Sequence, residues 1–219
     1  MNPVAKRSVT ALAVAAAIVL AILFAPAGAV GLAVGAIAFL AMLEFAFLLR
    51  KKVLSPRPPS KSAVAAVIAA GAACIICAFG CLAGIARSHG NLMLLYVVAV
   101  VKISDMGGFA FGLSFGRRKL CPKISPGKTW EGLAGSVLAS CLLSCAFIPL
   151  TGMGAGLALA CGLVAAVSGT AGDLVESAFK RWVGVKDSSV LSFTNGMGGI
   201  LDMTDSLFFA PALISALAF

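Results

Sequence analysis

Residues 31–52 read GLAVGAIAFLAMLEFAFLLRKK: from Gly31 to Leu49 a single charge, Glu44, interrupts an apolar run that ends on Arg50, Lys51 and Lys52. A helix of about 20 such residues, rising about 1.5 Å per residue, crosses a hydrocarbon core of about 30 Å. The run shows no alternation of polar and apolar residues, so it reads as a membrane helix and not as a barrel strand. The basic cluster at its end marks emergence on the cytoplasmic side.

The rest of the chain repeats this pattern. Of its 219 residues 61% are hydrophobic and 11% charged, with a mean hydropathy of +1.07, whereas soluble domains carry roughly 25% charged residues. A soluble globular domain is thereby excluded. Apolar runs place spans near 8–25, 29–49, 62–86, 91–115, 132–150, 153–172 and 199–219. The expected fold is an all-α, polytopic membrane bundle of about seven transmembrane helices. With the N-terminus in the cytoplasm, fifteen of the seventeen Lys and Arg residues fall on the cytoplasmic side, Arg87 and Lys102 being the exceptions. That distribution predicts a multi-pass protein of the inner (cytoplasmic) membrane. The net charge of +9 then reflects topology and anionic headgroups, and no nucleic-acid partner is expected.

Residues 1–27 share features with a signal peptide, ending in Ala25-Pro26-Ala27. Pro26 suits a turn, however, and a second span follows at once, so a first membrane helix is the reading adopted. The seven cysteines lack a second CxxC or a nearby His, and read as small packing residues. The linker Pro56-Arg57-Pro58-Pro59-Ser60-Lys61 separates an N-terminal hairpin region, 1–61, from a catalytic region, 62–219. Gly31 and Gly35 stand at GxxxG spacing, suited to helix packing within or between chains.

Polar chemistry is concentrated in the second region. Of eight acidic residues only Glu44 precedes residue 100. Asp173, Glu176, Ser177 and Lys180 share one helix face at i, i+3, i+4 and i+7. Asp202 and Asp205 stand at i, i+3, with only fourteen residues after Asp205, so they lie at the hydrocarbon boundary. Two like charges there need a cation, and Asp173 can approach from the neighbouring helix. Carboxylates without Cys or His specify a hard ion, Mg²⁺ first. Lys102 and Asp105 form a further pair inside the fourth span. The stretch PKISPGKTWE, 122–131, ends like a P-loop, but the position that needs the first glycine holds Pro122, and no strand pattern precedes it. Together these parts suit phosphoryl-type transfer at a lipid boundary, with carboxylates for a metal, cations for phosphates and an apolar flank for acyl chains.

Three stretches, SDMGGFAFGLSFGRRKLCPKISPGKTWEG (104–132), GDLVESAFKRWVGVKD (172–187) and GMGGILDMTDS (196–206), resemble the phosphatidate cytidylyltransferases, or CDP-diacylglycerol synthases. The resemblance implies transfer of CMP from CTP to phosphatidic acid, with Mg²⁺ required, K⁺ as a companion ion, membrane lipids as partners and a homodimer as the expected assembly. It implies Asp173, Asp202 and Asp205 as metal carboxylates, with Glu176 beside them. Lys128, Glu131 and Asp187 become the expected catalytic residues. Asp105, Ser125, Thr129, Ser177, Lys180, Arg181 and Lys186 become the expected substrate-binding residues. The chain departs from the family pattern at Met197 and Met203, where His and Arg are usual. Two alternatives stay open on the residues alone: a related CTP-dependent enzyme acting on another lipid, and a cation-coupled transporter using Lys102 and Asp105.

Overall fold

The computed structural model of the chain describes residues 19, 20, 22–56, 58–185 and 199–219. Most of the first expected span, together with Lys186, Asp187 and Met197, lies outside the described residues. Long helices dominate: α1 (Ala27–Val53), α2 (Lys61–Ser88), α3 (Gly90–Phe115), α4 (Trp130–Ala146) and α6 (Ala155–Val183). A short α5 (Ile148–Thr151) follows α4, and the chain closes with α7 (Ile200–Thr204), a 3₁₀ turn (Asp205–Leu207) and α8 (Ala210–Ala218). Among the described residues five segments are long and apolar enough to cross a membrane: Gly28–Val53, Lys61–Ser88, Gly90–Phe115, Ala155–Val183 and Ile200–Ala218. The all-α membrane bundle is thus the observed fold.

Local chemistry sets the ends of these helices. Ser60 starts α2 by accepting a hydrogen bond from Ala63 N–H at 3.2 Å, which satisfies an otherwise orphaned donor. Gly184, at φ +88°, ends α6 in the left-handed conformation. The expected span 132–150 is realised as the 17-residue α4 followed by the turn α5. The break falls just before Pro149, which has no N–H to continue the ladder.

Two findings depart from the sequence reading. Residues 119–129 form an antiparallel hairpin, β1 (Lys119–Cys121) against β2 (Ser125–Thr129), with Lys119 opposite Thr129 and Cys121 opposite Ser125. The Gly-Lys-Thr is therefore strand, running straight into α4, and not a phosphate loop after a strand. The last span is also not one continuous helix. Asp205 Oδ1 accepts Ser206 N–H at 2.7 Å, and Pro211 has no N–H to give, so the helical ladder yields to the 3₁₀ turn.

The buried apolar core joins α1, α2, α3, α6 and the C-terminal segment, while α3–α4 is the most extensive helix pair. A Cβ at Gly107 would lie 2.7 Å from Gly135 O, so only glycine permits this approach of α3 to α4. Serines lace the same region: the Tyr96 and Ser144 hydroxyls lie 2.7 Å apart, and Ser140 Oγ donates to Gly162 O at 2.8 Å. These buried hydroxyls are satisfied by neighbouring helices, as an apolar interior requires. The close packing holds α3, the hairpin and α6 around one cavity.

Candidate active site

The hairpin is anchored to α4 at its base. Thr129 Oγ1 accepts Gly132 N–H at 3.0 Å, capping α4. Glu131, in the first turn of α4 and outside the membrane spans, accepts Arg117 N–H at 3.1 Å and Arg118 N–H at 3.2 Å. Its own backbone N–H, then that of Arg117, hold this exposed carboxyl below the ordinary carboxylate range. Glu131 was expected to be catalytic; here its carboxylate closes the base of the hairpin.

Above that base lies a cavity of about 510 Å³, lined by Ser125, Lys128 and Thr129 from the hairpin, Asp105 and Gly108 from α3, and Asp173 from α6. Lys128 Nζ forms an ion pair with Asp173 Oδ2 across it. The other oxygen, Asp173 Oδ1, is buried with no hydrogen-bond partner. Asp105 and Asp205 are both electrostatic neighbours of Asp173. Asp205 reaches α6 because Gly172 leaves room for its backbone: a Cβ at Gly172 would collide with Asp205 O.

A second polar group lies about one turn further along α6. Lys180 Nζ is 2.6 Å from Glu176 Oε2 and 2.6 Å from Asp202 Oδ1. Asp202 Oδ2 also accepts Gly199 N–H at 3.1 Å. Beside this group an apolar cavity of about 340 Å³ is lined by Phe45, Gly71, Phe179, Trp182 and Phe208, with Glu176 in its wall.

The structure thus divides the expected metal set. Asp173 and Asp205 meet in the first group, with Asp105, while Asp202 and Glu176 share Lys180 in the second. Among the described residues no three acidic, Cys or His side chains stand together at metal-ligating spacing. Lys128 and Lys180 instead engage these carboxylates. Ser177 is half-buried on α6 next to Glu176. Arg181 Nε points to the hairpin turn, 3.5 Å from Ile124 O. Neither residue lines the hairpin cavity.

Two further charged residues join the site: Glu44, to which the sequence reading gave no role, and Lys102, which it had singled out only as the partner of Asp105. Glu44, on α1, is fully buried and accepts Leu201 N–H at 2.8 Å. Lys102 donates to Met203 O at 2.9 Å and Ser206 Oγ at 2.8 Å, with Asp105 Oδ2 at 3.4 Å. For Glu44 the hint was an isolated charge within an apolar run, and for Lys102 it was the i, i+3 pairing with Asp105 inside a span.

A family model for the cytidylyltransferase family matches residues 6–219. The chain belongs to the cytidylyltransferase family. Within that family it is 46% identical over 121 residues to the uncharacterized protein YnbB of Escherichia coli K12, covering 55% of this chain and 40% of that one. It is 44% identical over 126 residues to the phosphatidate cytidylyltransferase of Haemophilus influenzae, covering 54% of this chain and 43% of that one. The phosphatidate cytidylyltransferase of Staphylococcus aureus COL is 40% identical over 133 residues, with 60% and 50% covered. The chain matches half or less of the length of these relatives.

Proposed function

We propose that this chain transfers CMP from CTP to phosphatidate, forming CDP-diacylglycerol and pyrophosphate, at the cytoplasmic side of the inner membrane. The observation that carries the proposal is the Lys128–Asp173 pair, which bridges the Gly-Lys-Thr strand and α6 across a polar cavity. An entering triphosphate competes with Asp173 for the Lys128 ammonium. The cation then serves the phosphate oxygens, and the freed carboxylate becomes available to a metal.

Oxygen donors without Cys or His fit Mg²⁺, and the unpartnered Asp173 Oδ1 supplies an open donor. Asp173 and Asp205 would supply two carboxylates to the ion, the substrate phosphates and water completing its shell, and K⁺ is proposed as its companion. When bound, Mg²⁺ neutralises charge on the phosphate oxygens. In the reaction a phosphate oxygen of phosphatidate bonds to the α-phosphorus of CTP. The bond from that phosphorus to the α–β bridging oxygen breaks, and pyrophosphate leaves in line. Lys128 holds the triphosphate for this displacement, while Ser125 and Thr129 shape the cavity around it. The apolar cavity beside Glu176 offers a path for an acyl chain of the lipid substrate. The chain is proposed to work as a homodimer among membrane lipids.

Incorporation of label from α-³²P-CTP into the lipid fraction by purified protein tests the reading. Label should appear only when phosphatidate is added. Incorporation with a polyprenyl phosphate but not with phosphatidate would move the activity to another lipid. Absence of incorporation, together with substrate-dependent ion flux in liposomes, would favour a transporter.

A further inference from the structure

The segment that bears Asp202 and Asp205 is the interrupted part of the last span. Within the Ile200–Ala218 span helix α7 has five residues and the 3₁₀ turn three, so the helical ladder is interrupted where both aspartates stand. Most of its backbone donors and acceptors are therefore orphaned unless other elements supply partners.

Two charged side chains from distant helices do so. The fully buried Glu44 carboxylate of α1 accepts Leu201 N–H at 2.8 Å. Lys102 of α3 donates to Met203 O at 2.9 Å and to Ser206 Oγ at 2.8 Å. The charges have the sense that the peptide dipoles favour, negative toward the N–H end and positive toward the carbonyl end. Asp202 directly follows Leu201, and Asp205 lies between Met203 and Ser206. Fixing those backbone and hydroxyl groups therefore fixes the directions of both aspartates. One is turned to Lys180 and the other to Asp173.

We infer that Glu44 and Lys102 are a pair of positioning residues that clamp the aspartate segment from two different helices. The kinetic arm of this inference rests on the proposed cytidylyl transfer. The hydrogen-exchange arm does not. Losing a buried hydrogen bond while stranding its partner costs about tenfold or more in the population of the bound geometry. Glu44→Leu should therefore speed amide exchange in residues 199–207 of the purified full chain by about tenfold. Glu44→Gln keeps an acceptor for Leu201 N–H and should exchange close to wild type.

With CTP and phosphatidate, Glu44→Leu and Lys102→Met should each lower kcat about tenfold while the KM for CTP stays within about threefold. Glu44→Gln and Lys102→Arg should restore at least about a third of the wild-type kcat. The inference is overturned if Glu44→Leu exchanges like wild type, or if Glu44→Gln behaves like Glu44→Leu. It is also overturned if the variants raise KM and leave kcat unchanged. Should the wild-type chain show no phosphatidate-dependent turnover, the functional reading fails, and the exchange measurement still decides the clamp. Should Glu44→Leu or Lys102→Met fail to fold, Glu44→Gln still decides, since exchange in residues 199–207 about tenfold faster than wild type in that variant overturns the inference.

Discussion

Helix α6 carries two carboxylates at i, i+3, Asp173 and Glu176, and each has a lysine, yet their settings differ. The Asp173 side chain is 18% exposed and its partner Lys128 26%, both on the wall of a polar cavity. Glu176 is 1% exposed and Lys180 13%, beside an apolar cavity. The first pair comes from elements 45 residues apart, and its lysine sits on a hairpin. The second is an i, i+4 pair within one helix, tied to Asp202. The contrast assigns different work to similar groups. An open pair can exchange its partner for an incoming phosphate or metal ion. A dry pair holds helices together, because removing one member strands the other without water.

The largest effect expected from this contrast is on stability. Lys180→Met leaves the buried Glu176 carboxyl without its cation and removes one partner of the half-buried Asp202, which costs about 3–5 kcal/mol. Thermal unfolding in detergent should show it directly. A melting temperature unchanged by Lys180→Met would erase the distinction between the two pairs.

Asp173→Asn is the counterpart at the open pair. It keeps size and removes charge, so it should lower kcat by at least about 100-fold, near 3 kcal/mol of transition-state stabilisation, with a smaller change in melting than Lys180→Met. The reverse pattern, a large loss of stability with kcat intact, would make Asp173 the structural member. A smaller effect belongs to the hairpin. Lys128→Ala should raise the KM for CTP or lower kcat by about tenfold. Gly127→Ala should stay within about twofold, since a Cβ there meets no atom within 4 Å. A severe loss at Gly127 with little at Lys128 would return the stretch to a phosphate loop.

The smallest effect lies outside both pairs, at Glu131. Its carboxyl is held below the ordinary value of 4.5 by backbone N–H donors. A group with a depressed pKa contributes stability that is fully present above the ordinary value and is lost as pH falls through the lowered one. The melting difference between wild type and Glu131→Gln should therefore be constant near neutral pH and shrink only below 4.5. A difference that shrank between pH 6 and pH 8 would assign another group to this junction.

The sequence made the membrane architecture legible because long apolar runs ending in Lys and Arg have few other readings. The polar half of the chain was legible for the same reason, since charges stand out against such runs. Which charges meet was less visible. Asp202 and Asp205 at i, i+3 suggested one face of one helix, but the Asp205 side chain and Pro211 interrupt that helix and send the two carboxylates to different partners. Pro211 was the signal that could have warned of it. The hairpin was hidden because Ser-Pro-Gly-Lys-Thr has poor strand propensity. Glu44 looked like a lone charge in an otherwise empty hairpin. Its importance arises from a contact 157 residues away, which no local pattern encodes.

The central claim is that the open pair on α6 is where metal and nucleotide meet. The most direct test is the Mg²⁺ dependence of CDP-diacylglycerol formation from CTP and phosphatidate, measured for wild type and Asp173→Asn. Wild-type activity should vanish with EDTA and return with Mg²⁺. The variant should need at least about tenfold more Mg²⁺ and still fall short of the wild-type rate. Turnover by Asp173→Asn at the wild-type rate under limiting Mg²⁺ would contradict the account.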